Sequence, residues 1–356
     1  MFNKLTIKDV TVRKQNVLVR VDYNVPIKDG KIVDDLRIRE SLPTLELLRK
    51  KGARRIILIS HLGRPNGEKV LELSLGPIAK HLATLLPDAK VSFINDVSGP
   101  DVEEAVEKTP VGGILVLENL RFYPGEEQNS SDFAREIAES THADLFVQDG
   151  FAVVHRAHAS TSAITTEVPS IAGLLVEKEY ENLSKITQNP AHPFTVIIGG
   201  AKVEDKQPLI DVFAKSADHI IVGGKIAADG FKSKLKNVYV AEDFTTDDAG
   251  QKLDIGEKSI VHISEILQNS KTILWNGALG KVEDPQFAHG SKVVAEVIGA
   301  NKNTSVICGG DTTGFVHQVL KENQKLKYTL ISTGGGAALE LLSGLPLPGI
   351  DALDDR

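Results

Sequence analysis

Polar and ionisable side chains in the first half of this 356-residue chain gather just after apolar runs. Asp22 and Asn24 follow one run, His61 and Arg64 a second, Arg121 a third, and His155, Arg156 and His158 a fourth. Arginine grips carboxylate and phosphate in a bidentate fork. Eleven of the twelve arginines lie between Arg13 and Arg156, and the twelfth is Arg356. Glycine runs the other way, with ten before residue 170 and twenty from Gly173 onward. Glycine lets backbone amides approach a phosphate closely. The first half is therefore suited to holding an anion with side chains, and the second to holding one with backbone.

In the second half the glycines recur at turns after apolar runs. These are Gly199-Gly200, Gly223-Gly224, Asn276-Gly277, Gly309-Gly310 and Gly334-Gly335-Gly336. A glycine-rich turn before a helix offers unpaired N–H groups and a positive dipole end to a phosphate. One such turn means little, because tight turns need glycine anyway. Five at equivalent positions point to a nucleotide or another polyphosphate. None is a GxxxxGK[ST] loop or a clean GxGxxG. The charged candidates beside these turns are Lys202, Lys206, Glu283 and Asp311. Lys202 and Lys206 share a face if a helix begins at the Gly199-Gly200 turn.

The elements that must position these groups alternate. Strand patterns at Val17–Val25, Arg55–Ser60, Lys90–Ile94, Gly113–Leu117 and Ala143–Val147 are interleaved with helical patterns at Glu40–Lys51, Ser74–Leu86 and Asp132–Ser140. The second half repeats the scheme with strands at 194–198, 217–222, 272–275, 304–308 and 330–333. Alternation of this kind predicts parallel sheets covered by helices, with ligands at the carboxyl ends of the strands. Between the halves, Ser170–Asn189 reads as one helix. Its apolar residues fall near a 3.6-residue period, Ser170 is a candidate N-cap, and Asn189-Pro190 is a stop. The predicted fold is α/β: two doubly wound, Rossmann-like parallel-sheet domains joined by a central helix and hinge. The expected boundaries are 1–169, a linking helix at 170–189, a second domain at 190–345 and a tail at 346–356 that returns to the first domain.

Bulk composition narrows the function classes. Hydrophobic residues make up 41% and charged residues 25%, which is ordinary for a globular chain. A formal net charge of −7 argues against general binding to nucleic acid or to acidic membranes. Cys308 is the single cysteine, so no internal disulfide or cysteine-rich zinc site is possible. No apolar run approaches membrane-spanning length, and the first ten residues lack the apolar core of a signal peptide. A cytoplasmic protein is expected.

Ten motifs in order resemble the phosphoglycerate kinase family over nearly the whole chain. VRVDYNVP (19–26), DDLRIR (34–39), SHLGRP (60–65), ENLRF (118–122) and HRAHAST (155–161) are similar to its first domain. GGAKVEDK (199–206), LDIG (253–256), WNGALG (275–280), GGDT (309–312) and STGGGAALELL (332–342) are similar to its second.

The resemblance implies reversible phosphoryl transfer from 1,3-bisphosphoglycerate to MgADP, giving 3-phosphoglycerate and MgATP. It implies that Asp22, Asn24, Arg37, His61, Arg64, Arg121 and Arg156 bind the triose phosphate. Gly200, Ala201, Lys202, Lys206, Gly224, Asn276, Glu283, Gly310, Asp311 and Thr312 would bind the nucleotide, with Asp311 holding Mg²⁺. Arg37, Lys202, Gly335 and Gly336 would serve the transfer itself. The partners implied are small molecules, and the state implied is a monomer. Both attacking oxygens in this reaction are already deprotonated near neutral pH, so no general base is required. The chemistry is alignment and charge neutralisation.

The chain departs from the family pattern in places. Lys225–Lys252 is shorter than its counterpart, and Lys225 stands where a third glycine is usual. Ala278 replaces a usual proline, Lys281 a usual apolar residue and Cys308 a common glycine; Gly150 and Ala152 disturb the usual Ala-Phe-Gly. These departures bear on nucleotide choice and motivate an alternative reading as a catalytically impaired nucleotide binder. A nicotinamide-dependent dehydrogenase, a third reading, lacks its glycine fingerprint.

Overall fold

Continuous runs of branched apolar residues suit strands buried on both faces, as parallel sheets require. Six strands, the central ones runs of this kind, form one sheet in the computed structural model, which describes residues 2–204 and 206–356. They are β1 (Asn16–Arg20), β2 (Arg55–Ile59), β3 (Val91–Phe93), β4 (Gly113–Val116), β5 (Leu145–Gln148) and β6 (Ser170–Ala172). Their order is β3-β4-β2-β1-β5-β6, and every pairing is parallel. In the central pair Asn16 lies beside Arg55 and Arg20 beside Ile59. All five residues of β1 are buried, including the arginine that ends it.

A second parallel sheet contains β7 (Phe194–Ile198), β8 (His219–Val222), β9 (Val238–Val240), β10 (Thr272–Asn276), β11 (Thr304–Cys308) and β12 (Leu330–Ile331). Its order is β9-β8-β7-β10-β11-β12. Strand order reverses between β7 and β10, the position at which doubly wound sheets open a crevice for ligands. The backbones leaving these strands touch there. Gly199 N donates to Asn276 O at 3.0 Å, and Gly200 N to Ala278 O at 2.9 Å. A Cβ on Gly199 would lie 2.2 Å from Ala278 O, and one on Gly277 would lie 2.2 Å from Gly199 O. These two glycines are therefore needed for close backbone approach, whatever else the turns do.

The chain divides into two compact units. Unit 1 runs up to Tyr180 and takes in Pro346–Arg356, and unit 2 is Glu181–Leu345. Two short antiparallel ribbons, Ile27–Lys28 with Lys31–Ile32 and Phe244–Thr246 with Lys252–Ile255, add to the parallel sheets. No helix among the described residues is long and apolar enough to cross a membrane.

The structure corrects two expectations. Ser170 is not a helix cap. Ser170–Ala172 pairs with β5, and the helix runs Leu174–Gln188. Its first amides are capped from a distance, Leu174 N by Thr44 Oγ1 at 3.0 Å and Leu175 N by Asp149 Oδ1 at 2.9 Å. Tertiary pairing outweighs the local helical period. Lys202 and Lys206 likewise share no helix face, because the helix begins at Gln207 with Pro208 in its first turn. A helix started at Gly200 would place Pro208 in its interior, where the ring clashes with a carbonyl and an N–H is missing.

Candidate functional site

The loops leaving β1 and β2 carry the polar residues of unit 1. Asp22 is two residues past β1, and its Oδ1 accepts from Asn24 N at 3.1 Å. Asn24 Oδ1 in turn accepts from Gly63 N at 3.0 Å, tying the β1 loop to the His61–Gly67 turn. Arg37 lies in the first turn of the Leu36–Lys50 helix and pairs with Asp22 Oδ2. Arg121 is buried in a short 3-10 turn whose cap is Asn119. Its guanidinium donates to Gly63 O at 2.8 Å and lies 3.1 Å from Glu127 Oε1. Arg156 Nε donates to His155 Nε2 at 3.2 Å.

His61 is the centre of this arrangement. It is buried, and burial first, then the guanidiniums of Arg20, Arg121, Arg37 and Arg156, hold its pKa well below the ordinary histidine value. His155 is lowered to about 4 by burial and by Arg156. Both imidazoles are neutral near pH 7. The positive charge of the cluster resides on arginine. Arg64 is exposed and is not among the four guanidiniums that act on His61. Thus Asp22, Asn24, Arg37, His61, Arg121 and Arg156 come together, and Arg64 stands on the rim of the same turn.

Arg20 is a member of the cluster that the sequence motifs left unassigned. Its side chain is 1% exposed. Nε donates to Ser160 Oγ at 2.7 Å, and Glu126 Oε1 lies 3.9 Å from the guanidinium. Burial alone would raise the Glu126 carboxyl, but His158, the Arg20 guanidinium and Ser160 hold it below its ordinary value. A charge inside the apolar run NVLVRV was the readable signal, since a buried arginine demands partners.

Unit 2 holds a cavity of about 560 Å³ at the switch between β7 and β10. Gly200, Ala201, Lys202 and Lys206 form one wall, and Gly310, Asp311 and Thr312 another. Glu283 stands on the Gly280–Glu283 stretch that closes a further side. Asp311 and Thr312 are in the first turn of the Gly310–Glu322 helix. Thr312 Oγ1 accepts from Gly277 N at 3.0 Å, which fixes that helix to the end of β10. Lys206 Nζ donates to Asn276 Oδ1 just behind the wall. Gly224 abuts the Gly200 amide. Gly335 and Gly336 open the Gly335–Leu342 helix and are not part of the cavity wall. Lys225, Lys252 and Lys281 also line the cavity, a lysine-rich addition that the motif reading did not assign. Lys225 is occupied by Asp229 at 2.7 Å.

Two doubly wound parallel units, one with clustered guanidiniums and one with a glycine- and lysine-walled cavity, are suited to phosphorylated ligands. A profile described as phosphoglycerate kinase matches residues 7–240 and 226–345. The protein called phosphoglycerate kinase in Pseudothermotoga lettingae is 41% identical over 400 aligned positions, covering 99% of each chain. That of Borrelia hermsii is 39% identical, covering 98% of this chain and 99% of its own. Among solved structures, phosphoglycerate kinase from Pyrococcus horikoshii OT3 superposes with a TM-score of 0.87 at 28% identity, and that from Coxiella burnetii with 0.77 at 30%. Each covers 98% of both chains. The chain belongs to the phosphoglycerate kinase family, and its activity is phosphoryl transfer. The comparisons lend no support to the impaired nucleotide binder. The profile match breaks into two stretches overlapping at 226–240, within Lys225–Lys252.

Proposed function

We propose that unit 1 binds 3-phosphoglycerate and 1,3-bisphosphoglycerate through its arginine cluster, and that unit 2 binds ADP and ATP in its cavity. The observation that carries this reading is the cavity itself, whose walls bring Gly200, Lys202, Gly310 and Asp311 to one 560 Å³ space at the strand-order switch. Lysines and helix-start amides there suit phosphates, and Glu283 suits a ribose hydroxyl.

In this reading Arg121 and Arg156 hold the non-transferring phosphate, with Arg64 reaching from the rim. Asp22 and Asn24 accept and donate hydrogen bonds to the glycerate. Arg37 and Lys202 neutralise charge on the transferring group, with Gly335 and Gly336 presenting backbone amides to it. No side chain needs to take a proton, because the acceptor oxygens are anionic already. Arginine keeps its charge throughout the physiological range, so the grip does not depend on titration.

No cluster of three or more His, Cys, Asp or Glu able to hold a metal occurs among the described residues. Asp311, exposed at the start of its helix beside Gly310, offers one hard carboxylate, which fits Mg²⁺ carried on nucleotide phosphates. When bound, the ion would neutralise phosphate charge. A coupled ATP-forming assay with 1,3-bisphosphoglycerate and Mg²⁺, run with ADP and GDP in parallel, tests the reading. ATP formation is expected, and its absence with intact folded protein would overturn it.

A further inference from the structure

The environment of His61 contains one contact whose direction is fixed by chemistry. Arg20 NH2 lies 3.1 Å from His61 Nδ1. A guanidinium has five N–H donors and no acceptor. Hydrogen bonding at that distance requires a lone pair on Nδ1, so the ring proton must be on Nε2. The alternative, a proton on Nδ1, would set N–H against N–H. It would also need another acceptor, and Asp22 Oδ1, at 3.8 Å, is beyond hydrogen-bond reach.

Arg20 cannot easily turn away. Nε donates to Ser160 Oγ, one terminal nitrogen donates to Val21 O and lies 3.4 Å from Ser60 Oγ, and the other faces Glu126. Ser160 is held in turn, its Oγ donating to Glu126 Oε1 at 2.6 Å. The guanidinium is thus fixed at four points, and the fifth direction is Nδ1. Nε2 of His61 takes no partner among the described residues.

We propose that Arg20 is a positioning residue that holds His61 as the neutral Nε2–H tautomer, so that His61 donates one hydrogen bond to an anionic oxygen of the ligand in unit 1. This rests on the reading of unit 1 as the triose-phosphate site. The charged groups facing His61 are Arg20 and Asp22 at the end of β1, Arg37 on its helix, Arg121 in its 3-10 turn, and Arg156. Four cations against one carboxylate oppose protonation of the ring. His61 is accordingly a donor whose strength is constant across the physiological pH range, and binding of the anion gains no charge from it.

The test is long-range ¹H–¹⁵N correlation on the full ¹⁵N-labelled chain, with His61 assigned through His61→Gln. The expected spectrum shows an unprotonated Nδ1 and a protonated Nε2, unchanged from pH 5.5 to 8.5. Protonation at Nδ1, or titration of the ring near pH 6–7, would overturn the proposal. This measurement needs no Arg20 variant.

A paired variant, Arg20→Met with Glu126→Gln, removes the donor without leaving a buried carboxylate unpaired. It is expected to mix the His61 tautomers and to raise KM for 3-phosphoglycerate about tenfold, with kcat changed less. Arg20→Gln in the same Glu126→Gln background, which retains an amide donor, is expected to restore part of the loss. Normal KM with mixed tautomers would overturn the role assigned to Nε2–H. If the spectrum is as expected but 3-phosphoglycerate does not perturb Nε2, the pairing of Arg20 with His61 stands and the ligand reading of unit 1 falls.

Discussion

Lys206 Nζ donates to Asn276 Oδ1, so the loop after β7 is tied to the last residue of β10 across the point where strand order reverses. The amide nitrogen of the same asparagine is buried without a partner among the described residues. The pair therefore fixes the wall of the unit 2 cavity. Lys206→Ala is expected to weaken ADP binding about ten- to a hundredfold, the range for a hydrogen bond to a charged group. Asn276→Ala should cost less than additively in the Lys206→Ala background, because the two residues form one unit. Calorimetric titration of the four proteins with MgADP measures the coupling.

Arg37 and Lys202 are assigned to charge on the transferring group. Each alanine substitution is expected to lower kcat by about 10²–10³, the usual loss for one electrostatic donor. Arg37 also pairs with buried Asp22, so its variant should lose thermal stability as well, whereas Lys202 is exposed and its variant should not. Steady-state kinetics alongside thermal melts separate the two effects. Near-normal kcat in both variants would remove the role assignments.

Asp149 gives unit 1 a pH dependence. Burial pushes its carboxyl up to about 8, against hydrogen bonds from Leu175, Thr44 and Val176, and its Oδ2 is buried with no partner. In the unfolded chain the same group titrates near its ordinary value of about 4. Between these values the folded state binds more protons than the unfolded one. The stabilisation is thus complete below about pH 4 and is lost as pH rises through about 8. Asp149→Asn keeps the acceptor for Leu175 N but cannot ionise. Its melting temperature relative to the unsubstituted protein should climb by a few degrees between pH 5 and 8.5. A flat difference would show that Asp149 does not titrate in this window.

Gly199→Ala tests the backbone contact at the crevice. The added methyl would meet Ala278 O at 2.2 Å, and neither partner is a flexible side-chain end. β7 must shift from β10 to relieve it. An overpacking cost of about 1–3 kcal/mol is expected in denaturant melts, together with weaker ADP binding. The same substitution at Gly310, where nothing lies within 4 Å, should leave stability nearly unchanged and affect nucleotide affinity alone.

Much of this was legible before any coordinates. The runs RIILI, GILV and FTVII read as buried parallel strands because a sheet covered on both faces has no polar side to reveal. The skew of arginine and glycine matches the guanidinium cluster of unit 1 and the glycine-lined cavity of unit 2. Ser170 was misread because Ile171, Leu174 and Leu175 satisfy a helical period, while the competing partner, β5, lies more than twenty residues earlier in the chain. The shared helix face of Lys202 and Lys206 failed for a reason the sequence did contain, Pro208. Arg20 escaped notice because its role comes from contacts with Ser160 and Glu126, far along the chain.

Unit 1 combines residues up to Tyr180 with Pro346–Arg356. Leu5 N donates to Asp354 O, Lys4 Nζ donates to the carbonyls of Asp351 and Leu353, and Lys4 bridges to Asp355. Unit 2, by contrast, is one uninterrupted stretch. A ribosome delivers residues 181–345 before 346–356, so every residue of unit 2 is made before unit 1 receives its closing segment. The unit begun first is therefore completed second, and nascent unit 1 lacks the partners of Lys4 and Leu5 until residues 351–355 are made.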